Sequence, residues 1–264
     1  MRAASGPRIV ITGASSGIGE ALALEYRARY PDAVFALIAR RADRLRALAE
    51  RLAPAQARCF AVDISDRASL DQAARAFIAE FGAPDFVIGN AGISAGTLTS
   101  EASDAAVFRR IMAVNVIALA DTFSVFLPAM RENGHGTLVG IASVAGIRGL
   151  PGAGAYSASK AAAIAYLESL RVEERSHGIG VVTIAPGYIR TPMTDRNAYP
   201  MPFLMPVDAF ARKAVKAIGA GRSFVVLPWP MRLVALALRA LPNAVYDRLF
   251  AGAPRKARSG PELP

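Results

Sequence analysis

Residues Arg8–Thr12, RIVIT, are apolar almost throughout and run straight into Thr12-Gly13-Ala14-Ser15-Ser16-Gly17-Ile18-Gly19, after which an Ala- and Leu-rich stretch begins. Few features constrain a chain more. A run that is apolar without alternation reads as a strand of a parallel sheet covered on both faces. Glycine permits a tight turn and lets backbone approach a ligand closely. The free N–H groups at the start of the following helix, aided by its dipole, suit a pyrophosphate. A strand, a glycine-rich turn and a helix in this order therefore read as a nucleotide-binding turn, with Gly13, Ser15, Ser16, Gly17, Ile18 and Gly19 against the ligand.

The pattern then repeats. Apolar runs at 33–39, 57–62, 86–89, 136–142, 179–185 and 223–227 alternate with stretches of helical length such as 17–29 and 68–81. This predicts an α/β fold: a doubly wound parallel sheet (Rossmann fold) of about seven strands with helices on both faces. The 264 residues suit a single domain. Its core spans about 8–228, and a basic, amphipathic appendage follows over about 229–264. The Pro- and Met-rich segment 190–206 reads as a loop over the substrate side.

Further motifs follow in order. They are Asn90-Ala91-Gly92 after the fourth strand, Ser143 just past the fifth, Tyr156-Ser157-Ala158-Ser159-Lys160, and Pro186-Gly187-Tyr188-Ile189-Arg190-Thr191. With the Thr-Gly-x-x-x-Gly-x-Gly turn they resemble the short-chain dehydrogenase/reductase family, single-domain Tyr-x-x-x-Lys type, over roughly 180 residues. The resemblance implies a carbonyl/secondary-alcohol oxidoreductase using hydride transfer. It makes Asn115, Ser143, Tyr156 and Lys160 the catalytic set. Tyr156 exchanges the proton with the carbonyl oxygen, Ser143 orients that oxygen, Lys160 holds the nicotinamide ribose and supports Tyr156, and Asn115 holds a water in a proton relay. It also places Asp63 and Ile64 at the adenine, Asn90, Ala91 and Gly92 along the cofactor, and Pro186, Gly187, Ile189 and Thr191 near the nicotinamide.

The residues support this chemistry on their own terms. Tyr156 and Lys160 are four apart, so they share a helix face. A free phenol titrates near 10, and a nearby ammonium favours its phenolate. Lys160 is the only lysine before Lys213 in a chain that otherwise uses arginine, which suggests that a compact ammonium is wanted. Asp63 has a simpler use as a helix cap, a task that Ser65 or Asp66 also fits.

NAD-binding folds place an acid about 20 residues beyond the glycine turn. Here 36–41 holds no acid; Arg40 stands at the expected position with Arg41 beside it, and both suit a 2′-phosphate. The expected cofactor is NADP(H) rather than NAD(H). No metal is expected, because His135, His177 and Cys59 make no zinc-type ligand set.

Met193, Tyr199, Met201, Phe203, Leu204 and Met205 in the loop point to an apolar or lipid-like carbonyl or alcohol substrate. In the tail, Val234, Leu238, Leu241, Val245 and Leu249 mark a helical stripe that Pro242 interrupts. Residues 205–264 carry ten Lys/Arg against three Asp/Glu, within a net charge of +10 for the chain. Packing on the same or a sister subunit, in a homodimer or homotetramer, competes with peripheral membrane contact through 230–250. Nucleic-acid binding is not expected, since no binding motif supports it. Residues 253–264 read as disordered. Residues 1–7 lack the apolar core of a signal peptide and one cysteine forms no disulfide framework, so a cytoplasmic enzyme is expected. The rival readings are a catalytically silent NADP(H)-binding sensor and a membrane-peripheral scaffold.

Overall fold

Strands that are apolar on both faces demand cover on both faces, and the chain supplies it. The computed structural model describes residues 6–195, 197 and 199–258. The strands are β1 (Arg8–Thr12), β2 (Val34–Ala39), β3 (Gln56–Ala61), β4 (Phe86–Gly89), β5 (Gly136–Ile141), β6 (Ile179–Pro186) and β7 (Phe224–Leu227). They form one parallel sheet in the order β3-β2-β1-β4-β5-β6-β7. Every predicted strand is found, with ends shifted by at most one residue.

The helices are α1 (Gly17–Arg29), α2 (Ala42–Leu52), α3 (Arg67–Phe81), α4 (Asp104–Met112), α5 (Ala118–Asn133), α6 (Gly154–Glu173), α7 (Val207–Gly219), α8 (Pro230–Ala240) and α9 (Asn243–Phe250). Successive strand residues point to opposite faces. Ile9, Ile11, Phe35 and Leu37 therefore pack with Leu22 of α1 and Phe210 of α7. Val10, Ala36, Ile38 and Val87 pack with Phe77 of α3, Phe123 of α5 and Leu167 of α6.

The chain builds outward from β1 through β2 to β3, then returns to β4 on the other side of β1. The carboxyl ends of β1 and β4 thus flank the switch point, where open α/β sheets bind ligands.

Helices α4 and α5 are one continuous helix joined by a π turn, Ala113–Ile117. By length and apolar composition the helix Asp104–Asn133 qualifies as a membrane span. It serves instead as a core helix, burying Val107, Ile111, Leu119, Phe123, Phe126 and Met130.

Pro242 does break the tail, as expected: it precedes α9, two residues after α8 ends. Val234, Leu238 and Leu241 are half-buried, whereas Val245 and Leu249 are exposed. A second apolar row, Trp229, Leu233 and Leu236, faces outward at helical spacing. Arg148 anchors the hairpin: its guanidinium donates to Leu238 O and Leu241 O, each at 2.6 Å, and lies 4.0 Å from the centre of the Tyr246 ring.

The expected disorder of 253–264 is corrected for 253–258. Gly96 N donates to Ala257 O at 2.9 Å, and Arg258 forms ion pairs with Glu101 and Asp104. Residues 259–264 lie outside the described residues.

Candidate active site

The switch point is stitched by side chains. Thr12 Oγ1 accepts from Asn90 N at 3.1 Å and Ala91 N at 3.2 Å, and Asn90 Nδ2 donates to Thr12 O at 2.9 Å. Gly13 has φ +67° and packs against Ala91, where a Cβ would lie 2.8 Å from its Cα. A Cβ on Gly19 would come within 2.4 Å of Gly13 O, so α1 sits against the turn at a distance only glycine allows. Thr191 closes over Gly17 from the far side. A cavity of about 430 Å³ runs from Gly17 and Thr191 along α1 between α2 and α7, lined among others by Leu24, Arg44, Arg51 and Ala211. Tyr156 is not among its lining residues.

At the end of β2, Arg40 is exposed, and the neighbouring Arg41 reaches back to the turn. Its Nη2 donates to Ser15 Oγ at 2.9 Å and to Ser16 Oγ at 2.8 Å. These two adjacent arginines thus differ in placement.

Asp63 accepts from Ser65 N at 3.0 Å and Ser65 Oγ at 2.7 Å and pairs with Arg110 at 2.7 Å. Burial works to raise its carboxyl, but these hydrogen bonds and the Arg110 charge outweigh it and hold it at about 2. Asp66, not Asp63, caps α3. Ile64 is buried in the core cluster beside it. Ile189 is likewise buried, bridged to Met205. Gly187 sits at the end of β6, after Pro186, and its N–H donates to Leu227 O at 2.8 Å.

The four catalytic candidates converge. Ser143, just beyond β5, shares a hydrogen bond with the Tyr156 phenol and donates to Pro186 O at 3.4 Å. Lys160 is buried, and its ammonium donates to Ile141 O at 2.8 Å and lies 5.9 Å from the Tyr156 ring centre. Asn115 sits in the π turn. Its Oδ1 accepts from Ile93 N at 2.9 Å, and its Nδ2 donates to Ile93 O at 3.0 Å and to Ser159 Oγ at 2.9 Å. Ser159 Oγ in turn donates to Tyr156 O at 2.8 Å. A Cβ on Gly92 would lie 3.2 Å from Asn115 Oδ1 and 3.5 Å from Lys160 Nζ, so Gly92 holds the β4 loop against both.

Ser159 and Arg110 contribute to this arrangement with no role assigned to them from sequence, and Thr12, which opens the glycine motif, gains one as the acceptor for Asn90 and Ala91.

In the structure desolvation is the dominant influence on the Tyr156 phenol. Burial pushes the phenol up, and the Ser143 hydrogen bond only partly opposes it. Burial also pushes the Lys160 ammonium down, to about 8. Desolvation thus moves both groups toward neutrality.

The family model for short chain dehydrogenases matches residues 7–200. The chain belongs to the short-chain dehydrogenase family. It is 39% identical over 240 residues to an uncharacterized oxidoreductase of Myxococcus xanthus, covering 90% of this chain and 94% of that one. It is 33% identical over 271 residues to dehydrogenase/reductase SDR family member 7B of Bos taurus, covering 95% and 82%. Among solved structures, a short-chain dehydrogenase/reductase from Burkholderia phymatum in complex with NAD superimposes with TM-score 0.81 at 26% identity, covering 98% and 100%. One from Sphingobium yanoikuyae in complex with NADPH gives 0.76 at 27%, covering 96% and 98%. As a short-chain dehydrogenase, the chain is an oxidoreductase with the Rossmann sheet described above.

Proposed function

We propose that this short-chain dehydrogenase is an NADP(H)-dependent oxidoreductase that interconverts a carbonyl and a secondary alcohol on an apolar or lipid-like substrate. The convergence of Ser143, Tyr156, Lys160 and Asn115 carries this reading. A bound nicotinamide cofactor would supply or accept the hydride. The glycine turn, Asn90-Ala91-Gly92 and Thr191 would hold it, and the close backbone approach at Gly13, Gly17 and Gly19 fits a pyrophosphate. Tyr156 Oη gives the proton to the substrate oxygen, and Ser143 Oγ orients and polarises that oxygen. Lys160 and Asn115, joined through Gly92, keep the phenol's surroundings ordered and lead protons inward from the β4 loop. With Tyr156 and Lys160 both intact, a silent sensor is the weaker reading.

Arg41 supports NADP(H). Its fork spans two hydroxyls of the phosphate-binding turn, and no acid stands at the end of β2. Arg41→Ala is expected to weaken NADPH binding by about ten- to a hundred-fold and to leave NADH binding unchanged, as suits a lost charge-assisted contact. Fluorescence titration of both cofactors checks this. An equal loss for both would assign Arg41 to shaping the turn.

Met193 and Phe203 support the apolar substrate, being 40% and 53% exposed on the loop that covers this end. Tyr199 of the same loop lies close enough to Tyr156 to influence its phenol.

The outward row on α8 supports one further property, peripheral contact with an anionic membrane. Trp229, Leu233 and Leu236 are 67%, 58% and 58% exposed and are interleaved with exposed Arg232 and Arg239. A second copy would bring like charges together, whereas anionic lipid attracts each arginine by about 1 kcal/mol. Sedimentation with phosphatidylserine-containing vesicles is expected to pull the protein down at low salt. The double variant Leu233→Asp, Leu236→Asp should stay in solution. Equal sedimentation of both proteins would reject the contact. A homodimer or homotetramer is the proposed assembly, supported by exposed Ile117 and Val172 on the flanking helices.

A further inference from the structure

Ser143 stands at the start of an irregular segment. Between β5 and α6 the chain forms the short 3₁₀ turn Val144–Gly146 and no other regular element. Ser143 Oγ accepts from Ala145 N at 3.1 Å and reaches Pro186 O only at 3.4 Å. The segment must nevertheless fix Ser143 at one end and deliver Tyr156 at the other.

The α8–α9 hairpin braces it. Met231 and Ala235 of α8 pack with Val144, Ala185 and Val226, and Ile147 and Val234 lie against the same cluster. A Cβ on Gly187 would lie 2.6 Å from Met231 Cγ, so α8 also abuts the Pro186-Gly187 turn that Ser143 contacts. On the other side, a Cβ on Gly146 would lie 2.6 Å from the Lys160 carbonyl carbon, which seats the 3₁₀ turn on α6. Side chains then tie the segment to the hairpin in both directions. Leu238 O has no helical donor, because Pro242 lacks an N–H, and a cation is favoured at a helix C-terminus. Arg148 fills this place: Nη1 donates to Leu238 O and Leu241 O at 2.6 Å each, and Nη2 donates to Asn243 Oδ1 at 3.0 Å. In return Tyr246, whose ring lies under the Arg148 guanidinium, donates from Oη to Gly149 O at 2.5 Å, and Arg239 donates to Ile147 O at 3.4 Å. Next in the chain, Leu150 N donates to Ser157 Oγ at 3.1 Å, beside Tyr156. Arg148 thus ties the hairpin to the stretch that joins Ser143 to Tyr156.

We propose that Arg148 is a positioning residue for Ser143, and that the α8–α9 hairpin acts through it to hold Ser143 and Tyr156 in register. The inference rests on the oxidoreductase reading and adds a residue to it that touches neither substrate nor cofactor. Misplacing a reacting group by about 1 Å can lower a rate by up to about 10²-fold, so a brace of this kind is visible in kcat.

Arg148→Met keeps a long apolar stem and removes the fork. In Tyr156-dependent carbonyl reduction, measured well below the variant's unfolding temperature, it is expected to lower kcat about ten-fold and to leave KM for NADPH unchanged. Arg148→Lys keeps the charge without the fork and should recover part of the loss. Tyr246→Phe removes only the bond to Gly149 O and should act in the same direction, more weakly. In a Ser143→Ala background, Arg148→Met should lower kcat by less than about two-fold further, because the residue it works through is gone. The same factor in both backgrounds would assign Arg148 to folding in general and overturn the proposal. A second readout needs no catalysis. The Ala145 N–H is donated to Ser143 Oγ, and its exchange with deuterium should be about ten-fold faster in Arg148→Met. Unchanged exchange would equally overturn the proposal. Absence of Tyr156-dependent turnover in the wild type would instead reject the oxidoreductase reading, and the exchange comparison would still decide whether the hairpin holds Ser143.

Discussion

Tyr156→Phe is expected to lower kcat by about 10²- to 10⁴-fold, the usual contribution of a positioned acid or base, while leaving cofactor binding and thermal stability nearly unchanged. Phenylalanine keeps the ring and its packing and removes only the hydroxyl that Ser143 engages. Ser143→Ala should cost less, since it removes orientation of the carbonyl but keeps the proton donor. The pH dependence carries a sign. Burial holds the phenol above its ordinary value, so the proton-donating form prevails at neutral pH. Carbonyl reduction should therefore be fast near neutrality and fall as pH rises through the phenol's ionisation. Alcohol oxidation, which needs the phenolate as base, should rise over the same range. Steady-state rates of cofactor oxidation and reduction across pH check both limbs. A phenylalanine variant with near-native turnover would remove Tyr156 from the reaction and revive the sensor reading.

What was legible in the sequence was local. The strands could be read because buried parallel strands are continuous apolar runs, and their ends are marked by Gly, Pro and Asn. Tyr156 and Lys160 could be read because four residues on a helix is one turn. The π turn at Asn115 could not. It depends on Ile93, which is remote in sequence and exchanges two hydrogen bonds with the Asn115 amide. Sequence spacing favours Arg40, yet Arg41 is the one that reaches Ser15 and Ser16, because the exit direction of β2 decides between them. The segment 253–258 read as disordered because it lies near the end of the chain. Its order comes from Asp104 and Gly96, more than 150 residues away, and no local pattern records such a partnership. The tail stripe was read as one row, and the structure shows apolar rows facing both inward and outward on α8.

Lys160→Met is expected to abolish catalysis and yet stabilise the protein at neutral pH. In the fold, burial pushes this ammonium from 10.5 to about 8, so holding its charge inside costs the native state on the order of 3 kcal/mol at pH 7. The wild-type side chain returns part of this through its bond to Ile141 O, and losing that donor costs the variant about 1–2 kcal/mol. The expected net gain for the variant is about 1–2 kcal/mol at pH 7. Its pH dependence is diagnostic. Between about 8 and 10.5 the unfolded wild-type chain holds a proton that the folded chain has released, so this group makes wild-type stability rise with pH across that window. The variant lacks the group and lacks the rise. Its advantage should therefore shrink as pH climbs and reverse near the upper end, where only the lost bond to Ile141 remains. Burial also raises the Tyr26 and Tyr166 phenols, but both are common to the two proteins and cancel in the difference. Urea unfolding of the pair at several pH values measures it. A gap that stays constant with pH would mean that Lys160 keeps the same charge folded and unfolded. The charge would then cost the fold nothing, and the site's stability would not be traded for its chemistry.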